Sequence, residues 1–351
     1  MAIAAEDRPA QQAPGGRKPG RSPGGRALDL GMRILALREG SIIVVTIITI
    51  IYFAATVNNF FTANNFKNLL PYFCFLAIMA AGQVFVMTLG EIDLSIGALY
   101  LFTPFAYWKL TTAGIPLVPS VILALVIAGL LGAVNGFFVA FVGIPSFVAT
   151  LAMLFFLDGL TLILSHSQQI TTPGTSVVSV HTFAQVFGGG TYSELFWMIG
   201  IVLVLQIVLS LTRFGLFTVA AGGNRLGAAE AGINVRMVLL RNFVLCAMTA
   251  GFAGILEAIR TSTLSPDPSG SNQFLLYAVA AVIIGGTVMT GGEGTVVGAL
   301  IGALFIGILQ DGLTLKSVPA TYEYLWIGIA TIIAMCIYVL VRRIRLGSGR
   351  G

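Results

Sequence analysis

The sequence predicts an all-α fold, a polytopic membrane bundle of about ten transmembrane helices with the N and C termini on the cytoplasmic side. Three observations support it: only 9% of the 351 residues are charged, long apolar runs follow one another, and basic residues gather in alternate connections. A soluble domain typically carries roughly 25% charged residues. Charge is costly where a helix faces lipid, so this composition suits helices inside a membrane. The 42 glycines suit close packing between such helices.

Residues 1–38 differ from the rest of the chain, because prolines and glycines alternate there with basic residues. Such a segment cannot bury enough apolar surface to fold, and we predict a disordered basic cytoplasmic tail. It is not a signal peptide, since no apolar core closely follows a short basic start. Residues 39–345 form the predicted transmembrane domain, with an inner loop at 213–236, and residues 346–351 form a second cytoplasmic tail.

Ten apolar runs after Gly40 approach the roughly 20 residues that a membrane span needs. The runs at 94–110 and 276–290 fit less well, because the first contains Pro104 and Lys109 and the second is short. Either is a full span or a broken or re-entrant element buried among its neighbours. The predicted spans are 41–57, 69–90, 94–110, 117–141, 145–164, 195–212, 237–258, 276–290, 294–313 and 323–341.

The distribution of basic residues predicts the orientation of these spans. With ten spans and a cytoplasmic N terminus, 15 of the 19 basic residues lie inside. Seven precede the first span, four lie in or beside the 213–236 loop, and four follow the last span. Basic residues favour cytoplasmic connections. An even number of spans is therefore expected, and topology explains the net charge of +5 without nucleic acid as a partner.

The sequence shows no pattern typical of an enzyme. Its three cysteines lie in apolar runs without disulfide or metal-ligand spacing, and its two histidines are too few for a metal site. There is no G-x-x-x-x-G-K-[ST] phosphate loop, and the glycines of 222–227 do not have the spacing of a dinucleotide loop. We therefore predict no catalytic residues, and no metal or other cofactor bound by this chain.

The inner loop at 213–236 contains a small-residue helix. Residues 225–230 span little more than one helical turn, and Gly232 is placed to end the helix. A short helix across the cytoplasmic face suits insertion into a groove on a partner protein. An ordinary interfacial helix is an equal alternative from the residues alone.

Two segments also resemble each other, at residues 90–99 and 291–300. Both would begin a helix at the cytoplasmic side, as a parallel internal repeat would. Coincidence between two glycine-rich strings is at least as good an explanation.

Several motifs, taken together and in order, resemble the permease subunits of ribose-type sugar ABC importers. The inner loop is similar to that family's Gly-Gly-Asn stretch with paired alanines and then Gly-Ile-Asn. Residues 90–97 (GEIDLSIG) look like its Gly-Gly-Ile-Asp-Leu-Ser-Val-Gly element, and residues 132–136 like its Gly-x-x-Asn-Gly. Residues 144–151 and the stretch from 280 to 294 complete the resemblance, which covers roughly residues 40–340.

This resemblance implies a transport subunit of a bacterial plasma (inner) membrane, paired with a second copy of itself or a paralogous permease. A separate ATPase would bind ATP and Mg, and a periplasmic or lipid-anchored sugar-binding protein would deliver the sugar. The inner loop would dock into the ATPase. The residues expected to contribute are Gly223, Asn224, Arg225, Ala228, Ala229, Glu230 and Gly232.

The chain departs from the family pattern at two predicted outer helix ends. Asp158 precedes Gly159 where the family usually has Arg, and residues 274–277 replace a stretch that usually carries an acidic residue. Both differences leave the class of protein unchanged. They leave open which sugar or polyol is carried.

Polar residues at membrane depth are the candidates for a translocation path, because such residues are costly there. They are Asp93 with the neighbouring Ser95, Asn135 and Asp158. Asp93 is expected chiefly to cap a helix starting at Leu94. Asn135 either binds a sugar hydroxyl or, as we favour from its neighbouring glycines, packs against another helix.

Two other functions remain as alternatives. An ion-coupled secondary transporter needs a titratable or coordinating site near the membrane midplane. No carboxylate is predicted with assurance at that depth, which counts against it. A membrane enzyme acting on lipid needs nucleophiles, acids or metal ligands clustered at one depth, and the sequence contains no such cluster.

Overall fold

A computed structural model describes residues 39–172 and 181–348, so the predicted tail at 1–38 lies outside it. Within these residues the chain forms helices and one pair of short strands. The elements are α1 Gly40–Thr56, α2 Ala63–Thr88, α3 Ile96–Thr112, α4 Leu117–Phe137, α5 Ser146–Ser165, β1 Ile170–Thr171, α6 His181–Ala184, α7 Ser193–Leu211, α8 Arg213–Gly223, α9 Arg225–Glu230, α10 Val235–Thr261, β2 Thr263–Leu264, α11 Pro268–Ile284, α12 Val296–Leu315 and α13 Ala320–Ser348.

Each of the ten predicted spans overlaps one long helix of the described chain. Seven of these helices are long and apolar enough to cross a membrane, judged by length and composition. The other three, α1, α3 and α11, have 17 residues each. The structure thus supports a polytopic helical membrane protein, whereas the count of ten spans and the side of each terminus stay predictions.

Four helix boundaries differ by six residues or more from those expected. One is the end of α13, which runs to Ser348 rather than 341 and so includes the first residues of the predicted tail at 346–351. Helix α2 begins six residues before the predicted residue 69, because the Thr62 side chain accepts a hydrogen bond from Asn65 N and caps the first turn. Helix α11 covers 268–284 rather than 276–290. Asp267 caps its polar first turn and Pro268 occupies a favoured first position, while the chain turns after Ile284 at Gly285 and Gly286.

The long helices divide into a buried centre and an exposed ring. The apolar stretches of α2, α10 and α12 are 72–83% buried, whereas only 17% of the apolar stretch of α13 is buried. Small residues allow the central contacts: a Cβ on Gly82 would lie 1.9 Å from Thr249 Oγ1, and one on Gly254 2.0 Å from Tyr100 O. Such close approach is typical of packing between membrane helices. The exposed faces of α4, α5, α7 and α13 are strongly apolar, as contact with lipid requires.

The bundle has two ends. The short-helix end holds α8 and α9 together with the connections at 89–95 and 285–295. The opposite end holds the starts of α2 and α7, the ends of α10 and α12, and the two strands. Strands β1 and β2 pair antiparallel, with Ile170 opposite Leu264 and Thr171 opposite Thr263. Thr172 Oγ1 donates to Ala258 O over 2.7 Å, which ties this connection to α10.

Helix α3 begins inside the bundle rather than at its surface. Leu94 N donates to the hydroxyl of Thr150, one turn into α5, and Ser95 Oγ accepts from Asn135, two residues before the end of α4. The first turn of α3 meets the first turn of α11, where a Cβ on Gly97 would lie 2.3 Å from Ser271 O. The two predicted spans that fitted least well, 94–110 and 276–290, thus correspond to α3 and α11. These two short helices meet at their first turns.

Candidate functional site

Helices α8 and α9 form the predicted inner loop, and both ends of α9 are capped. Asn224 Oδ1 accepts from Gly227 N over 3.0 Å, which caps the start. At the other end Gly232 N donates to Ala229 O and Ile233 N donates to Ala228 O, both over 3.0 Å, with Gly232 at φ +83°. This pattern is the Schellman motif, which needs a left-handed residue. The structure thus places Gly232 where the sequence predicted the helix to end.

The seven predicted coupling residues do not all face the same way. Ala228 is buried in a cluster with Leu89, Ala221 and Val238, so it anchors α9 to the bundle. The other six are exposed. Leu226, which the sequence analysis did not single out, is 79% exposed on the first turn of α9. Helix α9 thus presents one large apolar side chain among small residues at its surface.

Helix α8 is fixed to the rest of the bundle. A Cβ on Gly222 would lie 1.8 Å from Thr88 O, so the backbones of α8 and α2 touch there. Buried Asn242 on α10 donates to Thr218 Oγ1 over 3.0 Å. Arg241, also on α10, donates to Phe214 O over 2.8 Å, and its guanidinium lies 4.0 Å from the centre of the Phe214 ring. Motion of α8 must therefore move α2 and α10 or break these contacts.

An ion pair joins α9 to the connection before α3. Arg225 bonds with the carboxylate of Glu91, and its Nη2 also donates to Leu89 O over 3.1 Å. Glu91 stands where the resembling family element has its second glycine. That departure was the available signal for this contact, and the sequence analysis did not use it, because 134 residues separate the partners.

The two segments that resemble each other in sequence lie side by side. Residues 90–95 lead into α3, residues 291–295 lead into α12, and a Cβ on Gly90 would lie 3.3 Å from Thr290 O. Gly292 N also donates to Thr88 O over 2.8 Å. The two segments that are similar in sequence thus each lie directly before a helix. That they arose by an internal duplication stays a prediction.

Three of the four predicted path residues form a buried chain of hydrogen bonds. Ser95 Oγ donates to Asp93 Oδ1 over 2.6 Å, Ser95 N donates to the same oxygen over 2.8 Å, and Asn135 Nδ2 donates to Ser95 Oγ over 2.9 Å. The expected cap by Asp93 of a helix starting at Leu94 is wrong in its position. Helix α3 starts at Ile96. Asp93 does not cap this helix but accepts a hydrogen bond from Ser95 N, which closes a turn just before it.

This series of hydrogen bonds leaves two buried oxygens without a partner among the described residues, Asp93 Oδ2 and Asn135 Oδ1. Asp93 is fully buried in the connection between α2 and α3. Burial raises the pKa of its carboxyl from 3.8 to about 6, and the two hydrogen bonds from Ser95 oppose that shift. Asn135 contacts a neighbouring segment, as favoured from its sequence. A role for Asp93, Ser95 and Asn135 in the translocation path of a sugar stays a prediction.

Asp158 does not join the other three. It lies in α5 three turns beyond Ser146 and is 8% exposed, with Oδ1 unpartnered among the described residues. The second departure from the family pattern also lies apart. There Gln273 donates to the Tyr277 hydroxyl over 2.7 Å and accepts from Tyr324 over 3.0 Å. The predicted path residues thus fall into two separate groups.

Nothing in the described ranges adds a metal or redox centre to these groups. No three or more His, Cys, Asp or Glu side chains of residues 39–172 and 181–348 stand close enough to hold a metal ion. Cys74 and Cys246 are buried as free thiols, as apolar core positions would predict, whereas Cys336 is exposed.

Comparison with known proteins gives a consistent result. A family model described as the permease component of branched-chain amino acid transport systems matches residues 65–335. The ribose import permease protein of Escherichia coli is 34% identical over 280 residues, covering 80% of this chain and 87% of its own. The xylose/arabinose import permease protein of Sulfolobus acidocaldarius is 31% identical over 321 residues, covering 87% and 86%. The D-allose transport system permease protein of Escherichia coli is 30% identical over 307 residues, covering 87% and 93%. No solved structure matches.

Proposed function

The chain belongs to the permease-component family of branched-chain amino acid transport systems, and from this premise we propose that it is the membrane permease subunit of an ATP-driven sugar importer. Its relatives named above are import permeases for ribose, xylose or arabinose, and allose. The proposal depends chiefly on this similarity over at least 80% of the chain. The capped, exposed helix α9 supports it, because a permease without its own phosphate loop needs a contact with an ATPase.

We assign α9 to that contact. Leu226, Ala229 and Glu230 are exposed on it, while Ala228 and the Arg225–Glu91 pair hold it to the bundle. A groove on the ATPase that accepts a short helix would take Leu226 as its apolar anchor. That partner would bind ATP and Mg, and we expect this chain to supply neither phosphate-binding nor catalytic groups.

Movement of the ATPase would then reach the membrane helices by two contacts. The first runs from α8 to α10 through Thr218 and Asn242. The second runs from α9 through Arg225 and Glu91 to the connection that carries Asp93 and Ser95. Since α3 begins inside the bundle directly after Ser95, displacement of this connection changes the contact with Asn135. Asp93, Ser95 and Asn135 would therefore move with the ATPase, whereas Asp158 lies apart from these contacts.

This function orients the molecule in a bacterial plasma (inner) membrane. The short-helix end lies in the cytoplasm beside the ATPase, with both termini on that side and about ten spans. The opposite end faces a periplasmic or lipid-anchored sugar-binding protein. A second permease, identical or paralogous, completes the transmembrane unit.

The decisive experiment is reconstitution of the full chain with candidate ATPases and the sugar-binding protein in proteoliposomes. We expect the ATPase to co-purify with the chain, and uptake of sugar to require ATP. Uptake driven by an ion gradient without an ATPase would contradict the proposal and favour a secondary transporter.

The docking assignment has its own test. Leu226→Ser is expected to weaken co-purification of the ATPase, and Glu230→Lys to lower the sugar imported per ATP hydrolysed. Leu216→Ser is the matched control, because Leu216 is 62% exposed but lies on α8. If Leu226→Ser and Leu216→Ser retain the ATPase equally well, α9 is not the main contact.

A further inference from the structure

A polar cavity of about 560 Å³ opens at the opposite end of the bundle, away from the predicted path residues. Its walls come from the first turns of α2 and α7, the connection at 188–191, and the last turns of α10 and α12. We name it the opposite-end cavity. Its main polar lining residues are Asn65, Lys67, Tyr72, Glu194, Arg260 and Asp311.

Three side chains that line this cavity are nine-tenths or more buried. Asn65, Glu194 and Asp311 are 5%, 4% and 2% exposed. Asn65 uses both hydrogens of its amide, donating over 3.0 Å to Phe60 O and over 2.8 Å to Asp311 Oδ2. Its Oδ1 is left with no partner among the described residues, and so is Oε2 of Glu194. Buried acceptors without a donor are rare and call for explanation by water, an ion or a ligand.

The atoms without partners are all acceptors, which restricts the chemistry of a ligand. A hydroxyl can donate to Asn65 Oδ1 or Glu194 Oε2 and can accept from a cation at the same time. Arg260 offers that cation: its Nε and Nη2 bind Glu257, each over 2.8 Å, and a guanidinium has five N–H donors. Half-buried Tyr72 adds an aromatic face and a hydroxyl to the wall.

The charges of the lining indicate a neutral ligand. Two charged lining side chains are cationic, Lys67 and Arg260, and two are anionic, Glu194 and Asp311. Arg260 is also paired with Glu257, which lies outside the lining. A cation or an anion would gain attraction from one pair and repulsion from the other, whereas a neutral molecule with many hydroxyls can use all four as hydrogen-bond partners. A volume of a few hundred Å³ falls in the range of small-molecule sites.

We propose that the opposite-end cavity is a subsite for one neutral monosaccharide or polyol, held by Glu194, Asn65 and Arg260. The proposal rests on the proposed function, which supplies the class of solute and the outward orientation. It names a binding place separate from Asp93, Ser95 and Asn135. A sugar released at the outer face would occupy it before the inner contacts change.

Protection of an engineered cysteine tests the location. In a Cys336→Ser background of the full chain in lipid nanodiscs, Asn68→Cys places a thiol in the cavity wall. Asn59→Cys is the matched control, because Asn59 is exposed at the same end but does not line the cavity. Ribose, xylose, arabinose and allose are the probes, including whichever of them the reconstituted complex imports. We expect the imported sugar to slow maleimide labelling of Asn68→Cys saturably and to leave Asn59→Cys unchanged.

A second variant tests the chemistry. Glu194→Gln keeps the size of the side chain but removes its charge, and it should weaken this protection at least about tenfold in sugar concentration. Glu323→Gln is the matched control, since Glu323 also lies in a first helical turn at this end but outside the cavity. Equal protection in Glu194→Gln and wild type would overturn the assigned contact.

The outcomes separate this proposal from the proposed function. ATP-dependent uptake together with no sugar effect on Asn68→Cys would overturn the subsite and leave the importer intact. Protection by the sugar-binding protein alone, with none from free sugar, would assign the cavity to a protein segment and also overturn the subsite. Protection by sugar without ATP-dependent uptake would support the subsite and contradict the importer.

Discussion

The two ends of this molecule treat their polar groups in opposite ways. Around α8 and α9 the connecting groups meet partners: Arg225 bonds with Glu91, Thr218 with Asn242, and the backbone at Gly222 touches Thr88. Around the opposite-end cavity, buried oxygens of Asn65 and Glu194 face an open volume. Close contacts without gaps suit a region that passes on movement, whereas unfilled acceptors around a cavity suit a region that binds a solute.

The largest expected effect tests the short-helix end, where the helices are in close contact. Gly222→Ala would place a Cβ 1.8 Å from Thr88 O, a backbone atom that cannot move alone. We expect a loss of about 3 kcal/mol or more of stability, at the upper end for overpacking. Gly223→Ala is the matched neighbour, with an ordinary contact of 3.7 Å to Gly292 Cα. Thermal unfolding in detergent measures both, and equal stability of the two variants would mean that α8 and α2 do not touch.

Three atoms at the short-helix end are exceptions, because Arg241 Nε, Asn135 Oδ1 and Asp93 Oδ2 are buried without a partner in the described chain. Of these groups, Asp93 carries a carboxyl. Its pKa is raised from 3.8 to about 6, so the folded state binds the proton more tightly than the unfolded state does. Its stabilising contribution is complete below pH 3.8 and is lost as the pH rises through about 6. The loss amounts to about 3 kcal/mol.

Asp93→Asn removes this titration. The variant is expected to be more stable than wild type at pH 7, with the difference shrinking as the pH falls from about 6 towards 4. Thermal unfolding of both proteins across this range is the measurement. A constant difference at all pH values would show that the Asp93 carboxyl does not titrate in that window.

A smaller effect concerns the end of α9. Gly232 has φ +83°, a conformation that costs an alanine about 1–2 kcal/mol, although a Cβ there would meet nothing within 4 Å. Gly232→Ala should therefore destabilise through its backbone alone. Gly200→Ala is the control of opposite sign: it lies within α7 in open space, where alanine favours the helix by about 0.5–1 kcal/mol. Thermal unfolding that moves both variants in the same direction would contradict the left-handed assignment.

The smallest expected effect on stability is that of the Arg225–Glu91 pair. Its side chains are 47% and 13% exposed, and such pairs typically contribute up to about 1 kcal/mol. Arg225→Glu should therefore leave folding nearly intact while lowering ATP-dependent uptake. Arg225→Glu combined with Glu91→Arg restores opposite charges and should recover part of the uptake. If the double variant transports no better than Arg225→Glu, the pair is not part of the coupling contact.

The sequence was sufficient to predict most of the fold because apolar runs and basic connections are local signals. Every predicted span overlaps a helix of at least 17 residues in the described chain, and Gly232 ends α9 as expected. The start of α11 was missed because residues 268–273 are polar, and the cap at Asp267 was not recognised. The end was missed because the Gly285–Gly286 turn interrupts an apolar run.

The site was predicted less completely, since its contacts join distant parts of the chain. The Asp93–Ser95–Asn135 group combines residues that the sequence had named separately. The contacts of Arg225 with Glu91, and of Asn65 with Asp311, cross 134 and 246 residues. Spacing in a single sequence carries no information about such pairs. Asp158 was predicted with the path residues but lies apart from them.

The meeting of α3 and α11 at Gly97 and Ser271 has an electrostatic consequence. The start of a helix carries about half a positive charge from its aligned peptide dipoles. Two such starts in contact would attract anions, but Asp93 lies beside the start of α3 and the exposed Asp267 lies beside the start of α11. The two carboxylates offset the two dipoles. We therefore expect the place where α3 and α11 meet to accept uncharged solutes and to offer no added attraction to a phosphorylated sugar.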